Sequence, residues 1–255
     1  MMKVYLKTCK GTGKIASDDR ILVGNDVFSE TTSTVMIKCG CVAVADGVGG
    51  NQAGDIAAEM VCHAVSDSLI LDSNRFSIIN RELVEKSRQC EAYRDMATTL
   101  SGFQCSETGE LLLFHVGNTR IYSIQAKRYL SQITEDDTVV NYLVRSGKLT
   151  EEEALSYPSR NEITACFGGG KETLLKISLS RLAPREFTHI LITSDGIHEY
   201  LSIDDMEDII MDAEGDWAKA IETLVAEAKE HGSSDDCSAL IVDWSAKEEV
   251  HGMEI

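Results

Sequence analysis

The chain has 255 residues, 43% hydrophobic and 26% charged, with 42 Asp and Glu against 24 Lys and Arg and a formal net charge of −18. That length is enough for a substantial core, and the acidic excess argues against a nucleic-acid backbone or an anionic membrane as partner. The eight cysteines form no C-x-x-C pair, and no segment has signal-peptide or membrane-span character, so a soluble, cytoplasmic protein without disulfides is expected.

In chain order, apolar runs predict strands over residues 20–27 and 34–45. Ile56, Met60, Val61, Ala64, Val65 and Leu69 mostly recur at three and four, predicting a helix over 55–71, and a more polar one follows over 81–95. Strands over 111–115 and 120–125 flank Val116-Gly117-Asn118-Thr119, which has hairpin chemistry. Short helices are expected over 138–147 and 150–155, strands over 173–179 and 189–194, a helix over 217–231 and a last strand over 238–244. With only Pro158 and Pro184 as prolines and no linker or repeat, residues 1–255 read as one domain. The order lacks regular βαβ alternation and suits an α+β fold of antiparallel sheets with a few helices. The motif-bearing strands are apolar on both faces, so both faces are expected to be covered.

Two of these strands end in the same way. Val42-Ala43-Val44-Ala45 runs into Asp46-Gly47-Val48-Gly49-Gly50, and Ile190-Leu191-Ile192-Thr193-Ser194 into Asp195-Gly196. An Asp at a stiff strand end is a pre-positioned oxygen ligand for Mg²⁺ or Mn²⁺, while Asp-Gly is also a common turn signal. Asp18-Asp19 and Asp235-Asp236 likewise precede predicted strands. If the fold gathers these carboxylates they repel one another, and a pair of divalent cations offsets that repulsion and serves phosphoryl transfer without a Ser, Cys or His nucleophile. Spacing alone leaves four unrelated loop aspartates as an equal reading. The six histidines show no zinc-ligand spacing, and neither Gly168-Gly169-Gly170 nor Gly49-Gly50 is followed by the residues of a nucleotide P-loop.

From about residue 11 to residue 242 the chain resembles the metal-dependent protein Ser/Thr phosphatases of the type 2C (PPM) family, in their compact bacterial form. The resemblance rests on ordered matches. These are Asp46-Gly47-Val48-Gly49-Gly50, Ala97-Thr98-Thr99-Leu100, His115-Val116-Gly117-Asn118-Thr119-Arg120-Ile121-Tyr122, residues 130–137, Arg160-Asn161-Glu162-Ile163-Thr164, Thr193-Ser194-Asp195-Gly196-Ile197 and Ser234-Asp235-Asp236-Cys237-Ser238. It implies a central β-sandwich of two antiparallel sheets flanked by helices on both sides, a four-layer αββα fold, with a flap at about 134–161. It further implies two divalent cations, Mn²⁺ or Mg²⁺, and hydrolysis of phosphoserine and phosphothreonine by a metal-bridging water.

Carried over position by position, Asp46, Asp19 and Lys14 take catalytic roles, and Asp46, the Gly47 carbonyl, Asp195, Asp235 and Asp19 take metal-binding ones. Asp18, Asn118 and Asp236 lie next to these ligands, with Asp236 competing with Asp235 for the ligand role. Lys14 stands where the family has its phosphate-holding Arg, with Arg20 as an alternative, and Arg160 on the flap is a candidate substrate contact, as is Arg145. Solvation, or local pairing with Glu151, Glu152 or Glu153, is the other reading of these two flap arginines. Ser17 replaces the Asn of the first motif and Asn118 the usual Asp at a third, weaker metal site. Val48 replaces a His of many eukaryotic relatives. A phosphoprotein substrate and a cognate Ser/Thr kinase are the implied partners. A catalytically weak module that binds phosphoproteins, and a hydrolase of small phosphoesters, are the competing readings.

Overall fold

The structure is a computed structural model that describes residues 1–48, 53–170, 175–182 and 188–245. Its first strand, β1 (Met2–Cys9), alternates strictly between Met2, Val4 and Leu6 on a buried face and Lys3, Tyr5 and Lys7 on a half-buried one. The following strands are β2 (Arg20–Gly24), β3 (Asp26–Phe28), β4 (Thr32–Ile37), β5 (Gly40–Ala45), β6 (Ala97–Thr98) and β7 (Leu100–Cys105). Then come β8 (Leu111–Val116), β9 (Arg120–Gln125), β10 (Tyr129–Gln132), β11 (Phe167–Gly168), β12 (Ser178–Leu182), β13 (His189–Thr193) and β14 (Cys237–Asp243). The helices are α1 (Gly54–Ser66), α2 (Ser73–Ser87), α3 (Val139–Arg145), α4 (Glu151–Leu155), α5 (Asp195–His198), α6 (Ile203–Asp212) and α7 (Trp217–Glu230).

Two six-stranded sheets form, ordered β10-β9-β13-β14-β1-β4 and β12-β8-β7-β5-β2-β3, beside a minor β11-β6 pair. Val4, Leu6, Val44, Phe103, Ile192 and Leu240 belong to the core between the two large sheets. The outer face of the second sheet packs on α1 and α2 through Leu22, Ala43, Val61, Phe76 and Leu83. The outer face of the first packs on α5, α6 and α7 through Leu191, Ile241, Met206, Ile221 and Leu224. This is the expected αββα sandwich, and double coverage explains why every residue of β13 and β14 is buried.

Several elements differ from their predicted form. The strand expected over 20–27 is a β2–β3 hairpin that turns at Gly24, whose φ of 66° suits glycine. The strand over 34–45 is interrupted, with β4 in one sheet and β5 in the other. Likewise β8 and β9 are not paired: the chain crosses between the sheets at Gly117-Asn118-Thr119, so the hairpin reading of that turn is corrected. Helix α1 ends at Ser66, leaving Leu69 96% exposed rather than on an apolar face. Helix α2 starts eight residues earlier than predicted because the Asp72 carboxylate caps it, accepting from the Arg75 amide at 2.7 Å. The strand expected over 173–179 is displaced: residues 175–177 are irregular and only Ser178 and Leu179 fall in β12, which runs on to Leu182, while Thr173 and Leu174 lie outside the described residues, as do Gly49 and Gly50.

Candidate metal centre

Asp46 follows β5 directly, and its backbone is held on both sides by the Thr98-Thr99 segment. The Asp46 amide donates to Thr99 Oγ1 at 3.1 Å, while its carbonyl accepts from the Thr99 amide at 2.8 Å and from Thr98 Oγ1 at 3.0 Å. Thr99 Oγ1 in turn meets Thr119 Oγ1 at 2.7 Å, which ties this loop to the sheet crossing. Gly47 is required next to it: a Cβ there would lie 2.6 Å from Gly54 at the start of α1 and 2.7 Å from the Asp18 carbonyl.

Asp195 sits at the matching end of β13. Ser194 fixes that end to β14, its amide donating to the Ser238 carbonyl and its hydroxyl accepting from the Ser238 amide, both at 2.9 Å. Gly196 packs so tightly on the Asp236 carbonyl that a Cβ there would overlap it. The Asp195 carboxylate accepts from Asn118 Nδ2 at 3.0 Å, so the sheet crossing delivers Asn118 to the same place.

The electrostatics show what has been gathered. Burial, followed by the charges of Asp195, Asp19 and Asp235, holds the Asp46 carboxyl well above the usual carboxylate range. Burial also raises Asp195, with Asp235 adding to it. Asp19 is 1% exposed and is pushed up to about 8 by burial, with further increase from Asp236 and Asp195 and some relief from the Ser238 and Ser194 hydroxyls. Its Oδ2 is buried without a hydrogen-bond partner. Carboxylates from four chain segments thus meet at one end of the sandwich.

The neighbouring charges are committed elsewhere. Lys14 Nζ reaches Asp236 Oδ2 at 2.9 Å and both Asp18 Oδ2 and Asp235 Oδ1 at 3.1 Å. Burial alone would lower its pKa, but the bonds to Asp236 and Asp235 hold the ammonium firmly protonated. Asp236 is buried and accepts from the Gly11 amide at 2.6 Å and the Asp18 amide at 2.7 Å, which makes it a clamp between loops. Asp235 is the member of this pair whose charge reaches Asp46 and Asp195. Arg20 turns inward: its Nη1 donates to the Ser17 and Asp19 carbonyls at 2.8 and 2.9 Å and its Nε to Glu59 Oε2 at 3.0 Å. Those bonds fasten the Asp18-Asp19 loop to α1 and leave phosphate binding, if from this pair of cations, to Lys14.

Among the described residues no three His, Cys, Asp or Glu side chains are already drawn into a cation cage. The donor set nonetheless fits a hard divalent cation: oxygen ligands that repel one another, desolvated, with one carboxylate oxygen unpartnered.

Beside the carboxylates lies a hollow of about 470 Å³ lined by Asn118, Arg120, Asn141, Arg160, Asn161 and Glu199 among others. Arg145, by contrast, pairs with Glu135 at 3.1 Å instead of with Glu151, Glu152 or Glu153. Burial raises Glu199 to about 7, with the Asp195 charge next in weight and Arg160 opposing. The flap base is anchored by residues that sequence reasoning passed over. Arg120 grips Asp136 with Nε–Oδ1 at 3.0 Å and Nη2–Oδ2 at 2.7 Å, and the buried His115 ring meets the Glu135 carbonyl at 2.9 Å and Ser101 Oγ at 2.7 Å. The available signal was that His115 and Arg120 share one matched motif and Glu135 and Asp136 lie in the next.

The fold and the cleft define an αββα sandwich with an acidic centre at one end. The sequence profile described as protein phosphatase 2C matches residues 22–240, and the chain belongs to that family. It is 29% identical over 258 residues to protein phosphatase PhpP of Streptococcus pneumoniae, covering 97% of this chain and 99% of that protein. The S. agalactiae serine/threonine phosphatase structure superposes with a TM-score of 0.77 at 25% identity, covering 95% of this chain and 99% of that one. The catalytic domain of the serine/threonine phosphatase PstP, solved in complex with two manganese ions, gives 0.70 at 23% identity over 95% and 99% of the two chains.

Proposed function

We propose that this protein is a metal-dependent protein serine/threonine phosphatase whose chemistry takes place at the carboxylate cleft. The observation that carries this reading is the convergence of Asp46, Asp195, Asp235 and Asp19, whose Oδ2 has no hydrogen-bond partner, in a member of the protein phosphatase 2C family. Asp46 would face two divalent cations, Mn²⁺ or Mg²⁺, with the Gly47 carbonyl, Asp195 and Asp235 as further ligands and Asp19 holding coordinated water. When bound, such cations supply a water of lowered pKa and offset charge on phosphate oxygens. The manganese in PstP, a structure of the same fold, supports this choice of cation.

The chain's own groups have distinct tasks in this reading. Thr98 and Thr99 fix the direction of Asp46, and Asp236 clamps the loops that carry Asp18 and Asp235. Lys14 is the cation placed to meet a phosphate monoester, which it would do by exchanging one of its three carboxylate partners. Arg160, which lines the same hollow as Asn118, meets acidic groups of the peptide. The neutral Asn118 makes a third cation site weak, since it offers an amide to Asp195 where a carboxylate would attract charge. The same reading takes residues 1–255 as one catalytic domain with a flap at 134–161, acting in the cytoplasm opposite a Ser/Thr kinase. No helix among the described residues is long and apolar enough to cross a membrane.

The capture of Lys14 by three carboxylates favours one alternative, a weak phosphatase that serves as a phosphoprotein-binding module. Hydrolysis of a phosphothreonine peptide with Mn²⁺, Mg²⁺ or EDTA separates the two. Phosphate release that EDTA abolishes supports the enzyme; no release from folded protein in any metal supports the module.

A further inference from the structure

Cys9 ends β1 and Cys237 begins β14, and the two are directly opposed in the antiparallel ladder. Directly opposed residues have Cα atoms about 4.5–5.5 Å apart, inside the roughly 4.4–6.8 Å that a disulfide spans. Both side chains leave the sheet on the face that packs against α5–α7. Both are thiols, and Cys9 Sγ donates to the Cys237 carbonyl at 3.7 Å.

The two differ in access and in surroundings. Cys9 is half-buried, so a small oxidant in solvent can reach it, whereas Cys237 is fully buried. Cys237 Sγ lies 3.4 Å from the Gly196 carbonyl and 3.5 Å from the Asp235 carbonyl, with Ser233 Oγ at 3.6 Å. It therefore rests beneath both loops that present Asp195 and Asp235. Above Cys9, Lys229 Nζ donates to the adjacent Lys10 carbonyl at 2.7 Å, placing a cation beside the sulfur. Contact with Cys237 and, against some burial, the Lys229 charge bring the Cys9 thiol down to about 6, which favours its thiolate.

We propose that Cys9 and Cys237 form a peroxide-sensitive thiol pair whose cross-strand disulfide lowers activity at the neighbouring carboxylate cleft. The Cys9 thiolate attacks one oxygen of hydrogen peroxide; the O–O bond breaks, a Cys9 sulfenic acid forms, and the released hydroxide takes a proton to become water. The Cys237 sulfur then attacks the Cys9 sulfur, the S–O bond breaks, and a second water leaves with the Cys237 proton. Two thiols lose two electrons in all, and one peroxide gains them. Closing the S–S bond pulls Cys237 Sγ away from the Gly196 and Asp235 carbonyls and so displaces the loops that carry Asp195 and Asp235. This consequence for turnover rests on the phosphatase reading; the thiol chemistry does not.

The test treats the reduced full-length protein with hydrogen peroxide, digests it without reductant and maps cross-linked peptides by mass spectrometry, with phosphothreonine-peptide hydrolysis measured in parallel. The expected result is a Cys9–Cys237 cross-link, with a loss of turnover that dithiothreitol restores. Cys9→Ser is expected to keep basal turnover and to lose the peroxide response. A Cys9 peptide that stays a free thiol while other cysteines oxidise overturns the pair, as does an unchanged peroxide response in Cys9→Ser. A cross-link without change in turnover overturns its regulatory role. Because the cross-link is read by mass, its formation in a protein that hydrolyses nothing would support the thiol pair and count against the phosphatase reading alone.

Discussion

Asp19→Asn should remove a large, pH-dependent burden on the stability of the protein held in chelator. Asp19 is 1% exposed, and its carboxyl is raised from an ordinary 3.8 to about 8, mainly by burial and then by Asp236 and Asp195. The sign follows from where the proton sits. Between about pH 4 and pH 8 the folded state keeps the proton and the unfolded state has lost it, so stability falls as pH rises and levels off above pH 8. That shift is roughly a 10⁴-fold change in proton affinity, or at most ~6 kcal/mol, of which up to ~4 kcal/mol is expressed between pH 5 and pH 8. Even half of that is a sizeable part of the roughly 5–15 kcal/mol that keeps a domain folded. Asn has the same shape and cannot ionise, so the variant should match wild type near pH 5 and exceed it at pH 8 by about 2–4 kcal/mol. Urea unfolding in EDTA, followed by circular dichroism at several pH values, gives the comparison. Asp46 and Asp195 also tilt both curves, Asp46 less steeply in the variant because the Asp19 charge no longer raises it, which adds to the difference in slope. Equal slopes in wild type and variant would refute the assignment of Asp19 as a buried, uncompensated carboxyl.

Three further outcomes follow from the same geometry. Asn118→Asp replaces an amide that donates to Asp195 at 3.0 Å with a second carboxylate, and should tighten a third, weak Mn²⁺ site while destabilising the chelated protein. Calorimetric titration reads the first effect and thermal melting the second. Thr99→Val removes hydrogen bonds to the Asp46 amide and to Thr119; it should cost about 1–3 kcal/mol and reduce turnover more than peptide affinity, measured as kcat against KM. Lys14→Met leaves Asp18, Asp235 and the buried Asp236 without their shared cation, and should lower stability in EDTA by about 1–3 kcal/mol, with much of the loss recovered on adding Mn²⁺.

The parts legible in the sequence were those that a single segment specifies. The apolar runs of β13 and β14 and the helical spacing of α7 locate three central elements to within a residue or so. The Asp-Gly strand ends mark Asp46 and Asp195 because a short ligand-bearing turn has few sequence solutions. Strand β1 escaped notice although Met2, Val4 and Leu6 alternate with Lys3, Tyr5 and Lys7: its half-buried face carries lysines whose stems cover apolar surface. The turn at Gly117-Asn118-Thr119 misled for a different reason. Local chemistry reports that the chain reverses, but not whether the next strand joins the same sheet or the one stacked on it. The different surroundings of Asp235 and Asp236 were likewise not legible, since only packing shows that Asp236 accepts from the Gly11 and Asp18 amides. Arg20 is a similar case, its inward turn to Glu59 being set by α1, 39 residues away.

The central claim is that the carboxylates gathered at Asp46 and Asp195 hold the divalent cation on which hydrolysis depends. Its most direct test is Mn²⁺ titration of wild type, Asp46→Asn and Asp195→Asn, paired with phosphothreonine-peptide turnover of each. Each folded variant is expected to lose both tight Mn²⁺ binding and turnover. Wild-type Mn²⁺ affinity and turnover retained in both variants would contradict the claim.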